Sequence, residues 1–342
     1  MVATDRSGSP GPGSPKRWTS WRTVTESTVW DAIILGGGPA GLSAALLLGR
    51  CRRRVLLCDA GRPRNAASKA LHGFLTRDGI APAELLRIGR RQLRRYRIRV
   101  VRGEATDARR ERAGFLLDFA DGTRLRSRTL LIATGVVDRI PPIEGLAPLY
   151  GRSVFHCPYC DGWEVSDRPV AVYGRGRPGM ALALSLQTWT EDVALVCDGR
   201  ARLLAEERQV LERRRIRIYE SRVARLAGRR GGLEIVFRDG NRLSRRALFF
   251  STGQDMSSDL PRRLGCRFNS KGGVRTDRLE GTGVPGLYVA GDASHDVQFA
   301  IVAAAEGAKA AVAINRTLQE QETVSVAART RETRRGARRV RR

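Results

Sequence analysis

Apolar residues along this chain fall into short dense runs, each followed by a glycine-rich turn and an Ala-rich stretch. The first run, Asp31-Ala-Ile-Ile-Leu35, has the length and composition of a buried strand. Gly36-Gly-Gly-Pro-Ala-Gly41 follows, and the apolar stretch Leu42–Gly49 predicts a helix. Arg54-Val-Leu-Leu-Cys58 predicts a second strand ending at Asp59, which completes a βαβ unit. The pattern recurs: Arg168–Tyr173 predicts a strand, Gly174–Gly179 a turn, Met180–Thr190 a helix and Asp192–Cys197 a strand. Two further runs, Leu130–Gly135 and Ala247–Gly253, end in Thr-Gly and lead to crossings between domains near Val136–Pro142 and Thr252–Ser258. Gly286–Asp292 predicts a strand with an acidic end, and Phe299–Asn315 an Ala-rich helix. Residues 1–28 have no apolar period and are rich in Ser, Gly, Pro and Thr, which predicts a disordered extension.

Two such units in 342 residues, too long a chain for one ordinary core, predict an α/β fold of two three-layer Rossmann-like dinucleotide-binding domains. The glycines of each turn let backbone approach a diphosphate, and the helix that follows aims its N–H groups and dipole at the anion. Gly36, Gly38 and Gly41 have the spacing for the first site. Asp59, at the next strand's end, is placed to accept from ribose hydroxyls. Gly174, Gly176 and Gly179 repeat the turn for a second dinucleotide, flanked by Arg175 and Arg177.

The chain holds six cysteines, and only Cys157 and Cys160 stand close together. In His156-Cys-Pro-Tyr-Cys-Asp-Gly162 a Cys-x-x-Cys loop can close a small reversible disulfide. A zinc half-site is the other reading of that spacing. It needs a second ligand pair, which the remaining cysteines and the three histidines (72, 156 and 295) do not supply by sequence. Asp161 directly follows the second cysteine, where a carboxylate can relay the proton that thiol–disulfide exchange moves. No bound metal is expected.

The formal net charge is +27, and Arg329–Arg342, with eight Arg and one Glu, supplies seven of those charges. A solvated, disordered basic tail over 319–342 is expected, with a weak grip on nucleic acid or acidic proteins as the alternative and no specific nucleic-acid partner. Nothing in the N-terminal residues resembles the apolar core of a signal peptide, and no run approaches a spanning helix. A soluble protein of the reducing cytoplasm is the expectation.

Two dinucleotide turns, a Cys-x-x-Cys-Asp-Gly between them and a late Gly-Asp strand together resemble the low-molecular-weight thioredoxin reductases, from about Val29 to Leu318. The resemblance implies an FAD domain split into 29–137 and 256–318, with an NAD(P) domain over 138–255 inserted in it. It also implies a homodimer, and a rotation of one domain against the other. Cofactor contacts carried over by motif are Gly36, Gly38, Pro39, Ala40, Gly41, Asp59, Gly135, Gly291, Asp292, Gln298 and Ala300 for FAD, and Gly174, Gly176 and Gly179 for NADPH or NADH. Cys160 would lie next to the flavin, Cys157 would attack the substrate disulfide and Asp161 would be the acid/base. Electrons would run from NAD(P)H through FAD and Cys157–Cys160 to a thioredoxin-like protein or a small-molecule disulfide.

Departures from that family are specific. The cationic cluster that meets the 2′-phosphate of NADPH is replaced by Cys197-Asp198-Gly199-Arg200-Ala201-Arg202, where Asp198 would repel a phosphate. Pro158-Tyr159 separates the cysteines, Phe299 stands where the family has Gln, and Leu71-His-Gly-Phe-Leu-Thr-Arg-Asp78 is not the usual loop. These features are closer to a related subgroup that includes FAD-dependent dithiol oxidases, which close disulfides in small molecules with oxygen as acceptor.

Overall fold

The computed structural model describes residues 28–294 and 297–339; the extension expected over 1–28 therefore lies outside it except for Thr28, as does His295. The first sheet is built around Val29–Leu35, which pairs in parallel with Val55–Asp59 on one side and Arg124–Ile132 on the other. Ile98–Arg102 extends it beyond Val55–Asp59. Leu287–Val289, from the far end of the chain, pairs in parallel with Arg124–Ile132, so the C-terminal part returns to the sheet begun at the N-terminus. The antiparallel strands Ala105–Glu111 and Gly114–Phe119 complete it. The helices Pro39–Arg50, Pro82–Leu93 and Ala300–Arg339 cover one face over a core containing Ile34, Leu48, Leu57, Leu131 and Ile314. Phe115, Leu117, Leu125 and Ile132 fill the other face.

The second sheet is parallel, ordered Arg217–Tyr219, Val193–Val196, Val170–Tyr173, Ala247–Phe250 and Val154–Phe155. Its strands are buried on both faces, which is why they read as unbroken apolar runs. The helices Gly176–Leu186 and Ala205–Arg213 pack on one face. The antiparallel meander of Val223–Arg229, Gly232–Phe237 and Arg242–Arg245 packs on the other.

The two crossings pair with each other: Val136–Asp138 and Gln254–Met256 form an antiparallel ribbon. One expectation changes. The segment from 319, expected to be disordered, continues the last helix to Arg339. Ala, Gln, Glu and Arg are good helix formers. The helix is also tied down past Leu318, where Arg53 and Arg128 both donate to Glu322.

Candidate functional site

Leu35, Cys58, Ile132 and Val289 lie in register across the parallel strands, so the residues after them gather at one carboxyl edge. This is where an open α/β sheet binds a dinucleotide. Gly36 has φ +107°, and a Cβ there would stand 2.2 Å from the Ala133 carbonyl oxygen. At Gly41 a Cβ would stand 1.9 Å from the Gly36 oxygen, because the helix starts hard against the strand. Beside Gly38, by contrast, a Cβ would meet no atom within 4 Å. Pro39 opens the helix and Ala40 is buried beneath it. The edge thus offers open space at a helix N-terminus, which fits the diphosphate of FAD.

Asp59 is buried; one carboxylate oxygen accepts from the Gly61 amide at 2.9 Å and the other from Arg90 at 2.7 Å. Gly291 donates its amide to buried Glu306 at 2.6 Å. Asp292 accepts from Arg64 at 2.7 Å, and the same guanidinium nitrogen donates to Gln298 at 2.7 Å. Gly135, at φ +69°, accepts from the Ser257 amide at 3.1 Å, and Ala300 opens the last helix. Sequence reasoning missed Arg64 and Glu306. Arg64 also donates to Asp138 at 2.9 Å and to Gln254 at 3.1 Å, and so joins the Gly-Asp turn to both crossings. Burial works against ionisation of Asp138, but Arg64, with help from His156 and Tyr150, holds its carboxyl below the usual range.

The second turn is built differently. The Gly176 amide donates to the Ala201 carbonyl at 2.7 Å. Ala201 is fully buried, and its own amide donates to Glu220 at 2.7 Å, so the loop after Val193–Val196 is anchored over the turn. Arg175 donates to the carbonyls of Cys197 and Asp198, each at 2.7 Å, and lies across the groove between turn and strand end. Gly174 and Gly179 retain the close helix–strand packing: a Cβ on Gly179 would stand 2.6 Å from the Gly174 carbonyl carbon. The packing of a dinucleotide turn is kept, and the Gly176 amide is paired within the chain. Asp198 accepts from the Val223 amide at 2.8 Å and from the Tyr173 hydroxyl at 3.1 Å, and pairs with Arg175 at 3.4 Å. Arg200, Arg202, Arg208 and Arg222 instead line a neighbouring cleft with Glu220.

Cys157 and Cys160 are joined as a disulfide, with Cα atoms 5.3 Å apart, across the short helix Pro158–Asp161. The Cys160 amide donates to the Cys157 sulfur at 3.2 Å. Two contacts hold this helix against the first domain. Tyr159 packs edge-on against Phe299, with centroids 6.1 Å apart, and His72 Nε2 lies 3.3 Å from Glu164 Oε1. Asp161 is pushed up to about 7 by burial, with Glu164 adding to the effect and His72 opposing it. On the other side of Cys157, His156 Nδ1 lies 3.0 Å from the Tyr150 hydroxyl, which donates to Asp138 at 3.0 Å. Burial lowers the His156 pKa, favouring the neutral ring. Among the described residues, no group of three or more His, Cys, Asp or Glu is placed to hold a metal ion. No helix there is long and apolar enough to cross a membrane.

The family of pyridine nucleotide-disulphide oxidoreductases matches residues 30–307. The chain belongs to this family, in its thioredoxin-reductase-like branch. Its members are flavoprotein oxidoreductases with a redox-active disulfide that use FAD and NADPH. Thioredoxin reductase tcpT of Claviceps purpurea is 32% identical over 282 residues, 79% of this chain and 88% of the relative. Thioredoxin reductase of Mycolicibacterium smegmatis is 27% identical over 313 residues, 87% of this chain and 99% of the relative. Among solved structures, HlmI superposes with a TM-score of 0.87 at 34% identity, covering 90% of this chain and 98% of that one. An oxidoreductase from Agrobacterium tumefaciens gives 0.79 at 34% identity, covering 85% and 99%. These neighbours share the two-domain Rossmann-like fold.

Proposed function

We propose that this flavoprotein is an FAD-dependent dithiol oxidase: Cys157–Cys160 takes two electrons from a substrate dithiol, closes the substrate's disulfide and is reoxidised through the flavin by oxygen. The observation that carries this reading is the contrast between the two turns. Space is open beside Gly38, whereas the Gly176 amide is committed to Ala201 and Arg175 spans the groove. The chain's contacts therefore favour FAD over a second dinucleotide.

Gly36, Gly38, Pro39, Ala40 and Gly41 would receive the FAD diphosphate, with Asp59 on the adenosine ribose. Gly135, Gly291, Asp292, Gln298 and Ala300 would border the rest of the cofactor. FAD held there would supply two-electron redox chemistry, with oxygen as the final acceptor. The protein supplies the rest. A substrate thiolate attacks Cys157, the Cys157–Cys160 bond breaks and Cys160 leaves as a thiolate. The substrate's second thiol then displaces Cys157 and closes its own disulfide. Asp161 receives thiol protons, a role to which a carboxyl titrating near 7 is matched.

A reductase, taking electrons from NADPH or NADH and passing them to a disulfide substrate, is the second reading. The cleft of Arg200, Arg202 and Arg222 favours it, since the carboxyl end of a second strand is where a 2′-phosphate is read. Oxygen uptake with a panel of small dithiols, in the absence of nicotinamide, tests the leading reading. Wild-type protein should consume oxygen and form the cyclic disulfide, and the Cys157→Ser, Cys160→Ser protein should do neither. Equal turnover by the double variant would remove the disulfide from the account.

A further inference from the structure

The loop Leu71–Ile80 belongs to the first domain, yet its histidine reaches the redox helix of the second. Backbone bonds between Leu71 and Ile80 close the loop: the Leu71 amide donates to Ile80 at 2.8 Å, and the Gly79 amide returns to Leu71 at 2.9 Å. Asp78 then accepts from the Gly73 amide at 2.7 Å and lies 3.6 Å from His72 Nδ1. The ring is thus held from one side, with Nε2 turned to Glu164 at 3.3 Å. Glu164 is three residues beyond Asp161, in the turn Trp163–Val165 that continues the redox helix. The contacts run from Asp78 through His72 to Glu164, three residues from the half-buried Asp161 that follows Cys160.

We propose that His72 and Glu164 are positioning residues for proton movement at Asp161, so that the Leu71–Asp78 loop of one domain sets when the carboxyl of the other accepts and releases a thiol proton. The inference rests on dithiol exchange at Cys157–Cys160. In each exchange step the proton of an attacking thiol passes to the Asp161 carboxylate, and it must leave before the next turnover. The charges of Glu164 and His72 act on Asp161 in opposite directions: the Glu164 carboxylate favours its protonated form and a protonated His72 its ionised form. The groups that face this set from the elements packed around it are Asp78 on the loop and Tyr150 on the opposite side, the latter bonded to Asp138 and His156.

The test uses the oxidised FAD-loaded protein, dithiothreitol as the probe and anaerobic stopped-flow. Flavin reduction rates of each variant are divided by the wild-type rate at the same pH, which cancels the probe's own ionisation. Glu164→Gln should raise the ratio below pH 7 by roughly threefold to tenfold, because losing the neighbouring carboxylate favours the ionised form of Asp161. His72→Gln should lower it over the same range, and His72→Lys, which places a positive charge there, should restore it. Ratios that stay flat, or that fall together in both variants, would overturn the positioning role. If dithiothreitol fails to reduce the flavin of the wild-type protein, the dithiol reading itself falls, and this inference with it.

Discussion

The amide of Gly176 donates to the carbonyl of Ala201 across 2.7 Å, and that bond ties the second dinucleotide turn to the loop after Val193–Val196. The equivalent position of the first turn, Gly38, opens on free space. The loop is fixed by buried Ala201 and by the Glu220 bond to its amide, so on the proposed reading a diphosphate that takes the Gly176 amide has to break the bond to Ala201, a step FAD at the first turn does not require.

The two glycines flanking Pro39 should behave differently on substitution. A side chain at Gly38 enters the open space and displaces only cofactor, so Gly38→Val should fold and purify largely colourless. A Cβ at Gly41 meets backbone at 1.9 Å, so Gly41→Ala should lower stability itself, by about 1–3 kcal/mol or more. Flavin content by absorbance and thermal unfolding of the apoproteins separate the two. Full flavin occupancy in Gly38→Val would contradict the assignment.

Removing the guanidinium at Arg64 leaves Asp138 and Asp292 without their shared cation. Arg64→Met should destabilise by about 3 kcal/mol, a fall in Tm of roughly 5–10 °C at neutral pH. Lys should not restore it, because an ammonium lacks the fork that reaches Asp138, Asp292 and Gln254 together. The folded-state pKa of Asp138 is depressed, so its share of this stability is present above the ordinary carboxylate value of 3.8 and is lost as pH falls below it. The gap between wild type and variant should narrow in acid, as thermal scans from pH 7 down to 3 would show.

Asp161 has the opposite sign. Its folded value of about 7 lies above the ordinary 3.8, so the folded chain keeps a proton that the unfolded chain gives up. Its contribution to stability is full below about pH 4 and is lost as pH rises through about 7. Asp161→Asn should therefore be more stable than wild type at pH 8, by a few kcal/mol at most, and equal to it in acid. The same variant should slow dithiol-driven flavin reduction by about ten- to a hundredfold. A loss of stability at pH 8 would show that the carboxylate is paired rather than merely buried.

Much of this architecture was legible in the chain because backbone geometry demands it. Gly36 and Gly41 stand where any side chain would strike a carbonyl, and the apolar runs of both sheets are strands buried on two faces. What was not legible is pairing at a distance. Arg64 and Asp292 are separated by 228 positions, and nothing local marks Arg64 among 62 Lys and Arg residues. Asp198 stands at a strand end, as its position suggested, but its bonds to Val223, Tyr173 and Arg175 come from residues distant in sequence. His72 was visible only as part of an unusual loop; its reach to Glu164 depends on how the two domains pack. The helix beyond Leu318 was not legible because its basic charge suggests a solvated tail, whereas its Ala, Gln and Glu favour helix.

The central claim is that electrons enter through Cys157–Cys160 and not through the Gly174–Gly179 turn. Anaerobic reduction of the bound flavin, followed by its absorbance after mixing with either dithiothreitol or NADPH at equal concentration, tests this most directly. The dithiol should bleach the flavin at least a hundredfold faster than NADPH, and the Cys157→Ser, Cys160→Ser protein should lose the dithiol reaction. Rapid, saturable bleaching by NADPH, unaffected by the loss of both cysteines, would contradict the account and establish the second turn as a working nicotinamide site.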